Sequence, residues 1–147
     1  MTNSKTVKEV MTPNPVSVTL NDNIYEVAVK MKDHDTGFIP VVQSEEDQIL
    51  IGVITDRDLV LRGYADKHSG SAAVEKVMSS DVRSVSEEIS VDEAARLMAV
   101  GQIRRLPVVS GKKLIGIVSI GDLAVHHSFA DEAGEALSGI SQQQHLH

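Results

Sequence analysis

The sequence contains no cysteine and no tryptophan, and its other aromatic residues are few. Without cysteine the chain forms no disulfide bonds and supplies no thiolate for catalysis or metal binding. Aromatic residues make up 3% of the 147 residues whereas hydrophobic residues make up 41%, so the core must be built from aliphatic side chains. No stretch approaches the roughly 18 apolar residues that span a bilayer. These absences predict a soluble protein with an aliphatic core and no membrane partner.

Basic residues are also scarce relative to acidic ones. The chain has 14 Lys and Arg against 21 Asp and Glu, which gives a formal net charge of −7. This charge disfavours general electrostatic binding to nucleic acid or to an anionic membrane. Residues 1–6 lack the apolar run of a signal peptide, and the absence of cysteine is consistent with a reducing compartment. We expect a cytoplasmic protein that does not bind nucleic acid directly.

One sequence pattern occurs twice along the chain. Equivalent residues are first separated by 67 positions, as in the pairs Met11 and Met78, Val18 and Val85, and Met31 and Met98. After the second predicted strand the separation falls to 64, as in the pairs Gly52 and Gly116, and Asp58 and Asp122. The second copy therefore has a polar turn three residues shorter, and a surface turn is where a duplicated fold tolerates deletion best.

Each copy predicts the order strand, helix, strand, strand, helix. The first helix of each copy begins with an N-cap residue followed by Glu three positions later, which is a capping box. Apolar residues then recur at helical spacing: Ile24, Val27, Ala28 and Met31 in one copy, and Val91, Ala94, Ala95 and Met98 in the other. We expect an α+β fold in which two β-α-β-β-α repeats pack about a pseudo-two-fold axis through their sheets, since each is too small to bury a good core alone.

The predicted boundaries divide the chain into four parts that together form one module. They are residues 7–62 for the first repeat, 63–73 for a linker, 74–127 for the second repeat, and 128–147 for a C-terminal helical or frayed tail.

A hydroxyl–x–x–Asp motif lies at the end of the third strand in each copy, as Thr55–Asp58 and Ser119–Asp122. A helix cap explains this motif without any ligand, because the hydroxyl and the acid can satisfy each other's backbone N–H groups. A glycine three residues before each hydroxyl, Gly52 or Gly116, marks a place where something else approaches the strand. From the residues alone, a structural cap and a ligand contact both remain possible.

The chain resembles the CBS-domain family, specifically a stand-alone tandem pair, over about residues 7–125. The resemblance rests on three repeated stretches: Val10-Met-Thr and Val77-Met-Ser, Ile39-Pro-Val-Val and Leu106-Pro-Val-Val, and Gly52–Asp58 and Gly116–Asp122. It implies a regulatory module that binds an adenine-containing ligand in clefts between the repeats and signals to a partner protein. An enzyme is disfavoured by the residues themselves, because no Ser/His/carboxylate arrangement recurs in the repeated core. It also implies a homodimer formed through the helices.

The resemblance implies two sets of ligand-binding residues. One cleft would contain Asp122, Ser119, Ile117, Gly116, Ile103, Arg104, Arg105, Thr12 and Val16. The other would contain Asp58, Thr55, Val53, Arg57, Thr36, Gly37, Phe38, Ser79 and Arg83. In each cleft the Asp would accept hydrogen bonds from ribose hydroxyls, and the Thr or Ser would contact ribose or phosphate.

The pair Arg104-Arg105 makes the two predicted clefts unequal. A guanidinium presents a planar set of donors that suits phosphate oxygens, whereas the first repeat has Gly37 and Phe38 at these positions. The Asp122 cleft is therefore predicted to be the better nucleotide-phosphate site. A solvated arginine pair that balances nearby carboxylates is the alternative interpretation.

The ligands expected first are AMP, ADP and ATP, with S-adenosylmethionine, NADH and cyclic di-AMP as alternatives. No metal is expected to be required, because the histidines at His126-His127 are adjacent and do not share a helical face. The sequence does not identify the regulated partner. A ligand-independent dimerisation or interaction scaffold is the alternative function.

Overall fold

The computed structural model describes residues 5–125, which form two compact units. We call one the Asp58 unit; it comprises Pro15–Val82 and Lys112–Leu114. The other, the Asp122 unit, comprises residues 5–14, 83–111 and 115–125 of the described chain. The predicted C-terminal tail, 128–147, and the His126-His127 pair lie outside the described residues.

The order of helices and strands confirms the predicted α+β fold with two β-α-β-β-α repeats. In chain order the elements are α1 (Val7–Val10), β1 (Thr12–Pro13), β2 (Val18–Thr19), α2 (Ile24–His34), β3 (Phe38–Val42), β4 (Leu50–Thr55), α3 (Asp56–Asp58), a π-helical segment (Leu59–Tyr64), a 3₁₀ turn (Val74–Lys76), β5 (Val85–Ser86), α4 (Val91–Gly101), β6 (Arg105–Ser110), β7 (Lys113–Ser119) and α5 (Ile120–Ala124). The placement of the repeats about a pseudo-two-fold axis stays a prediction.

Each unit contains one sheet. In the Asp58 unit the strand order is β2-β3-β4, with β3 parallel to β2 and antiparallel to β4. In the Asp122 unit the order is β1-β7-β6-β5, with β5 parallel to β6 and β1 antiparallel to β7. Both sheets therefore place the last strand of a repeat next to its second strand, and this arrangement fixes where the strand-to-helix junction lies.

The first helix of each repeat begins as the sequence predicts, but the details differ between the copies. The Asn23 side chain accepts a hydrogen bond from the Glu26 backbone N–H at 2.9 Å, and the Glu26 carboxylate accepts one from the Asn23 N–H at 3.0 Å. Ser90 also caps its helix, through the Glu93 N–H at 3.1 Å. The Glu93 carboxylate, however, pairs with Arg96 one turn later. The capping box predicted at Ser90 is thus only half formed, because a guanidinium competes for the acid.

The predicted apolar faces of these helices are largely correct. Ile24, Val27 and Met31 are buried, whereas Ala28 is exposed. The second helix has a wider buried face, consisting of Val91, Ala94, Ala95 and Met98.

Each unit takes part of its core from the segment at the start of the other repeat. We call residues 5–13 the first lead-in and residues 72–80 the second lead-in. Val7 of the first lead-in is fully buried in the core of the Asp122 unit. Val74 and Val77 of the second are fully buried in the core of the Asp58 unit. Since full burial of a valine side chain contributes about 1.5–3 kcal/mol, these segments are part of the fold and not loose connections.

Within the described range 5–125, no helix has both the length and the apolar character needed to cross a membrane.

Candidate functional site

The hydroxyl–x–x–Asp motif forms a reciprocal cap in both repeats. The Thr55 N–H donates to Asp58 Oδ2 at 2.9 Å, and the Asp58 N–H donates to Thr55 Oγ1 at 3.1 Å. The Ser119 N–H donates to Asp122 Oδ2 at 2.8 Å, and the Asp122 N–H donates to Ser119 Oγ at 3.1 Å. The structural interpretation of this motif is therefore confirmed, and each pair stabilises the start of a helix.

The cap uses only part of the hydrogen-bonding capacity of these side chains. A carboxylate has two oxygens that accept hydrogen bonds, and a hydroxyl donates as well as accepts. Among residues 5–125, the carboxylates of Asp58 and Asp122 accept hydrogen bonds through Oδ2 alone, and the Thr55 and Ser119 hydroxyls act only as acceptors. All four residues are half-buried. The cap thus holds a free acceptor and a free donor at the protein surface in each repeat.

The glycine in each third strand is explained by the protein itself. A Cβ atom added to Gly52 would lie 2.9 Å from Met78 Sδ and 3.0 Å from the Ser79 carbonyl oxygen. A Cβ added to Gly116 would contact Met11 Sδ and would lie 2.9 Å from the Thr12 carbonyl oxygen. The glycine therefore lets a lead-in cross the strand, and this accounts for the glycine and for the methionine that precedes each lead-in hydroxyl.

We call the strand-to-helix transitions at Thr55–Asp58 and Ser119–Asp122 the Asp58 junction and the Asp122 junction. Each lead-in places a further hydroxyl-bearing residue beside one of them. Ser79 and Val53 exchange two backbone hydrogen bonds, of 2.9 and 2.8 Å. Thr12 pairs with Ile117 at the equivalent position of the other unit. Val53 and Ile117 each lie two residues before the capping hydroxyl. Each junction is thus lined by residues of both repeats, and Thr12 and Ser79 lie beside the aspartates to which the family resemblance assigns them.

The residues before the proline-containing strands also contact the helix starts. The Asp56 N–H donates to the Gly37 carbonyl oxygen at 2.9 Å, and the Ile120 N–H donates to the Arg104 carbonyl oxygen at 2.9 Å. These four residues are equivalent in the repeats, so the same contact holds each junction. Arg104 is consequently anchored next to α5 through its backbone, while its side chain is exposed.

Asp56 is a charged residue at the junction that the sequence-based reasoning missed. A Cβ added to Gly37 would lie 2.7 Å from Asp56 Oδ2, so the Asp56 carboxylate occupies the space beside Gly37. The second repeat has Ile120 in place of Asp56 and Arg104 in place of Gly37. The Asp58 junction therefore carries an additional negative charge, whereas the Asp122 junction carries a nearby positive one. Aligning the two copies position by position would have revealed this difference.

The two arginines of the second repeat are available to an anion. Arg104 and Arg105 are both exposed, and the ion pairs found within residues 5–125 involve neither of them. Ile103, which precedes them, is half-buried and packs against the core of the Asp122 unit.

Three predicted residues of the first repeat lie around the Asp58 junction. Phe38 pairs with Thr55 across the strands, and the Thr36 hydroxyl accepts a hydrogen bond from the Phe38 N–H at 3.2 Å. Arg57 is exposed and lines a surface cavity of about 380 Å³ together with Asp56, Val60 and Leu61.

Val16 and Arg83 do not lie in the same unit as the aspartate to which the resemblance assigns each of them. Val16 packs against the core of the Asp58 unit, although the resemblance assigns it to the Asp122 cleft. Arg83 lies in the Asp122 unit, where its guanidinium covers Gly101 at the end of α4, although the resemblance assigns it to the Asp58 cleft. Their part in either cleft stays a prediction.

Comparison with known proteins identifies the repeats. The family model for the CBS domain matches residues 7–63 and 74–126. The protein YlbB of Bacillus subtilis (strain 168) is 48% identical over 136 residues, covering 92% of this chain and 91% of its own. The CBS domain-containing protein YhcV of the same organism is 44% identical over 137 residues, covering 93% and 96%.

Solved structures with the same fold include two with bound ligands. CBSX2 in complex with AMP matches with a TM-score of 0.71 and 27% identity, covering 86% of this chain and 98% of its own. The CBS-domain pair of protein MJ0100, in complex with 5′-methylthioadenosine and S-adenosyl-L-methionine, matches with a TM-score of 0.72 and 26% identity, covering 88% and 98%.

A third solved structure carries metal. Hypoxic Response Protein I, with two coordinated zinc ions, matches with a TM-score of 0.75 and 30% identity, covering 83% of this chain and 98% of its own. In the present chain, residues 5–125 contain no group of three or more His, Cys, Asp or Glu side chains that could hold a metal ion.

Proposed function

The chain belongs to the CBS-domain family, and we propose that it is a regulatory module that binds an adenine-containing nucleotide and signals its presence to a partner protein. The observation that carries this proposal is the pair of half-buried caps, each with a free carboxylate oxygen and a free hydroxyl donor at the start of a helix. Two relatives with the same fold bind AMP or S-adenosylmethionine, and these ligands share an adenosine group.

In the proposed Asp122 site, Asp122 Oδ1 accepts hydrogen bonds from the ribose hydroxyls. The Ser119 hydroxyl donates to ribose or phosphate. Gly116, Ile117 and Thr12 line the same junction, because the first lead-in pairs with β7 there. In the Asp58 site the equivalent roles fall to Asp58, Thr55, Gly52, Val53 and Ser79.

The proposed sites differ in their preference for phosphate. Arg104 and Arg105 are exposed on the repeat that contains Asp122, and a guanidinium binds phosphate oxygens through two parallel hydrogen bonds. At the other junction the Asp56 carboxylate lies beside Gly37 and would repel a phosphate. We therefore propose that AMP, ADP or ATP binds first at Asp122, with S-adenosylmethionine, NADH or cyclic di-AMP as alternative ligands.

The proposal includes no catalytic step and no required metal. Among residues 5–125, neither the Thr55 nor the Ser119 hydroxyl donates a hydrogen bond to a neighbouring base, so neither is arranged as an activated nucleophile. We place the module in the cytoplasm, because the absence of cysteine is consistent with a reducing compartment.

Thermal unfolding with a panel of nucleotides tests the proposal. A ligand that binds only the native state at 100 times its Kd stabilises that state by about 2.7 kcal/mol. We expect adenine nucleotides to raise the apparent stability, while GMP and GTP serve as controls for the base. An absence of stabilisation by AMP, ADP, ATP, S-adenosylmethionine, NADH and cyclic di-AMP would refute nucleotide binding.

Titration calorimetry of matched variants tests the assignment of the sites. Asp122→Asn keeps an oxygen for the cap but replaces the other acceptor with a donor, so it should weaken binding with little effect on folding. Asp122→Ala should weaken binding more than Asp58→Ala, because Asp122 lies on the repeat with the exposed arginines. Equal losses in the two alanine variants would contradict the inequality of the sites.

A second candidate function, a homodimeric interaction scaffold, is favoured by one observation. The π-helical segment exposes Val60, Leu61 and Tyr64, with relative exposures of 57%, 49% and 85%. A two-fold interface places the same patch of both copies in contact. Asp56 and Arg57 adjoin this apolar patch, so a second copy could bury the aliphatic groups and pair each acid with the opposite base. We propose that the module forms a homodimer through this patch, with or without nucleotide.

A further inference from the structure

Arg62 connects the helix that follows the Asp58 cap to the second lead-in. Its Nη1 atom donates to the Met78 carbonyl oxygen at 3.1 Å and, more weakly, to the Val77 carbonyl oxygen at 3.4 Å. A cationic donor makes a stronger hydrogen bond than a neutral one. The side chain therefore holds two consecutive peptide groups of the lead-in against the helix.

The adjacent residue shows that the helix and the lead-in are in direct contact. Gly63 is buried, and a Cβ atom added to it would lie 3.4 Å from Ile24 Cδ1 and 3.6 Å from Val77 Cγ1. The fully buried Val77 is thus packed against the helix at the position next to Arg62. The contact combines burial of apolar groups with a polar clamp at its exposed edge.

The clamped peptide groups immediately precede the residues that line the Asp58 junction. Met78 lies over Gly52, and Ser79 forms both backbone hydrogen bonds with Val53. At its other end, the same helical run begins at the Thr55 cap, since Asp56–Asp58 continues directly into Leu59–Tyr64. Arg62 therefore joins the two walls of the junction: the helix start with its aspartate, and the lead-in with its hydroxyl.

We propose that Arg62 is a positioning residue for nucleotide binding at Asp58: it keeps Ser79 paired with Val53 without contacting the ligand itself. This inference rests on the proposed function for its effect on affinity, but not for its effect on the lead-in. The guanidinium is specific to one repeat, because the residue 64 positions later in the sequence is His126. Removal of the guanidinium should therefore affect the Asp58 site and leave the Asp122 site unchanged.

Amide hydrogen exchange measured by NMR tests the structural part. In Arg62→Met, which keeps the aliphatic stem but removes the donors, the Ser79 and Val53 amides should exchange about tenfold faster or more, as expected for loss of a hydrogen bond to a charged group. Arg62→Lys retains a charged donor and should show a smaller increase. The matched control is Arg96→Met, since Arg96 is an exposed arginine that pairs with Glu93 on its own helix. Unchanged exchange at Ser79 in Arg62→Met would overturn the proposal.

Nucleotide titration in the Asp122→Ala background tests the functional part, because binding that remains there reports the Asp58 site. Arg62→Met should weaken this residual binding about fivefold or more, Arg62→Lys should restore part of it, and Arg96→Met should leave it unchanged. Faster exchange with unaltered affinity would show that Arg62 holds the lead-in but does not position the site, which would refute the inference. An absence of residual binding in the Asp122→Ala parent would count against the proposed Asp58 site, while the exchange result would still decide whether Arg62 holds the lead-in.

Discussion

Adding a single methyl group at Gly116 should destabilise the protein, although replacing glycine with alanine in a strand ordinarily favours folding. The new Cβ would contact Met11 Sδ and would lie 2.9 Å from the Thr12 carbonyl oxygen. The methionine side chain can move, but the carbonyl belongs to β1, whose pairing with β7 fixes its distance. Overpacking of this kind costs about 1–3 kcal/mol. We therefore expect Gly116→Ala to lower the free energy of unfolding by about 2 kcal/mol.

Gly121 provides a matched control within the same unit. A Cβ added there would meet only Ser119 Oγ, at the ordinary contact distance of 3.6 Å. Gly121 lies in α5, where alanine is favoured over glycine by up to about 1 kcal/mol. The same chemical change, five residues away, should therefore have the opposite sign.

Urea unfolding followed by circular dichroism measures both variants. With a denaturant dependence of about 2 kcal/mol/M, a loss of 2 kcal/mol lowers the midpoint by about 1 M. Gly121→Ala should leave the midpoint unchanged or raise it. If Gly116→Ala were as stable as the parent, the first lead-in would not be held tightly over β7. The explanation of the repeated glycine, and of the lead-in as a wall of the Asp122 junction, would then be wrong.

Two further predictions concern the surface and the response to pH. Leu61→Asp should convert the proposed homodimer to a monomer, as measured by light scattering at micromolar concentration. The control Val100→Asp changes an exposed position of α4 and should leave the dimer intact. Equal effects of the two variants would contradict the assigned interface. The Ser110 hydroxyl and, next, the Lys8 ammonium hold the pKa of Glu87 below its usual value. The stabilisation from this lowered pKa is complete above the unfolded-state pKa and is lost as the pH falls through the folded-state pKa. The urea midpoint of Glu87→Gln should therefore depend less steeply on pH below about 4.5 than that of the parent; parallel profiles would show that the pKa of Glu87 is not shifted by folding.

Local chemistry explains why many features were predictable from the chain. A helix cap requires only residues within one turn, so Asn23, Thr55 and Ser119 could be recognised from their neighbours three positions later. The duplication was equally visible, since it needs no knowledge of which segments touch. The exception at Ser90 has a physical cause that the capping pattern does not include: Arg96 lies one turn beyond Glu93 and takes its carboxylate.

The role of the motif glycine could not be settled in this way. A glycine in a strand indicates that something approaches the backbone, but it does not identify what does. The structure shows that a lead-in occupies this space, with Met78 over Gly52 and Met11 over Gly116. Asp56 went unnoticed for a related reason, because its importance depends on the carbonyl of Gly37, which is 19 positions away in the chain but forms a hydrogen bond with the Asp56 N–H.

The sequence by itself determined the two repeats, their order of helices and strands, and the capped junctions, because these depend on periodicity and on contacts between near neighbours. The family resemblance implied which lead-in lies beside which aspartate, but the residues alone did not, and the tertiary structure shows the contacts that decide it. Both lead-ins have the same valine, methionine and hydroxyl pattern, so composition does not distinguish their partners. Val7 is buried in the core of the Asp122 unit, and Val77 is buried in the core of the Asp58 unit. This burial holds each lead-in in place, so that Thr12 and Ser79 lie beside the aspartates that we propose bind the nucleotide.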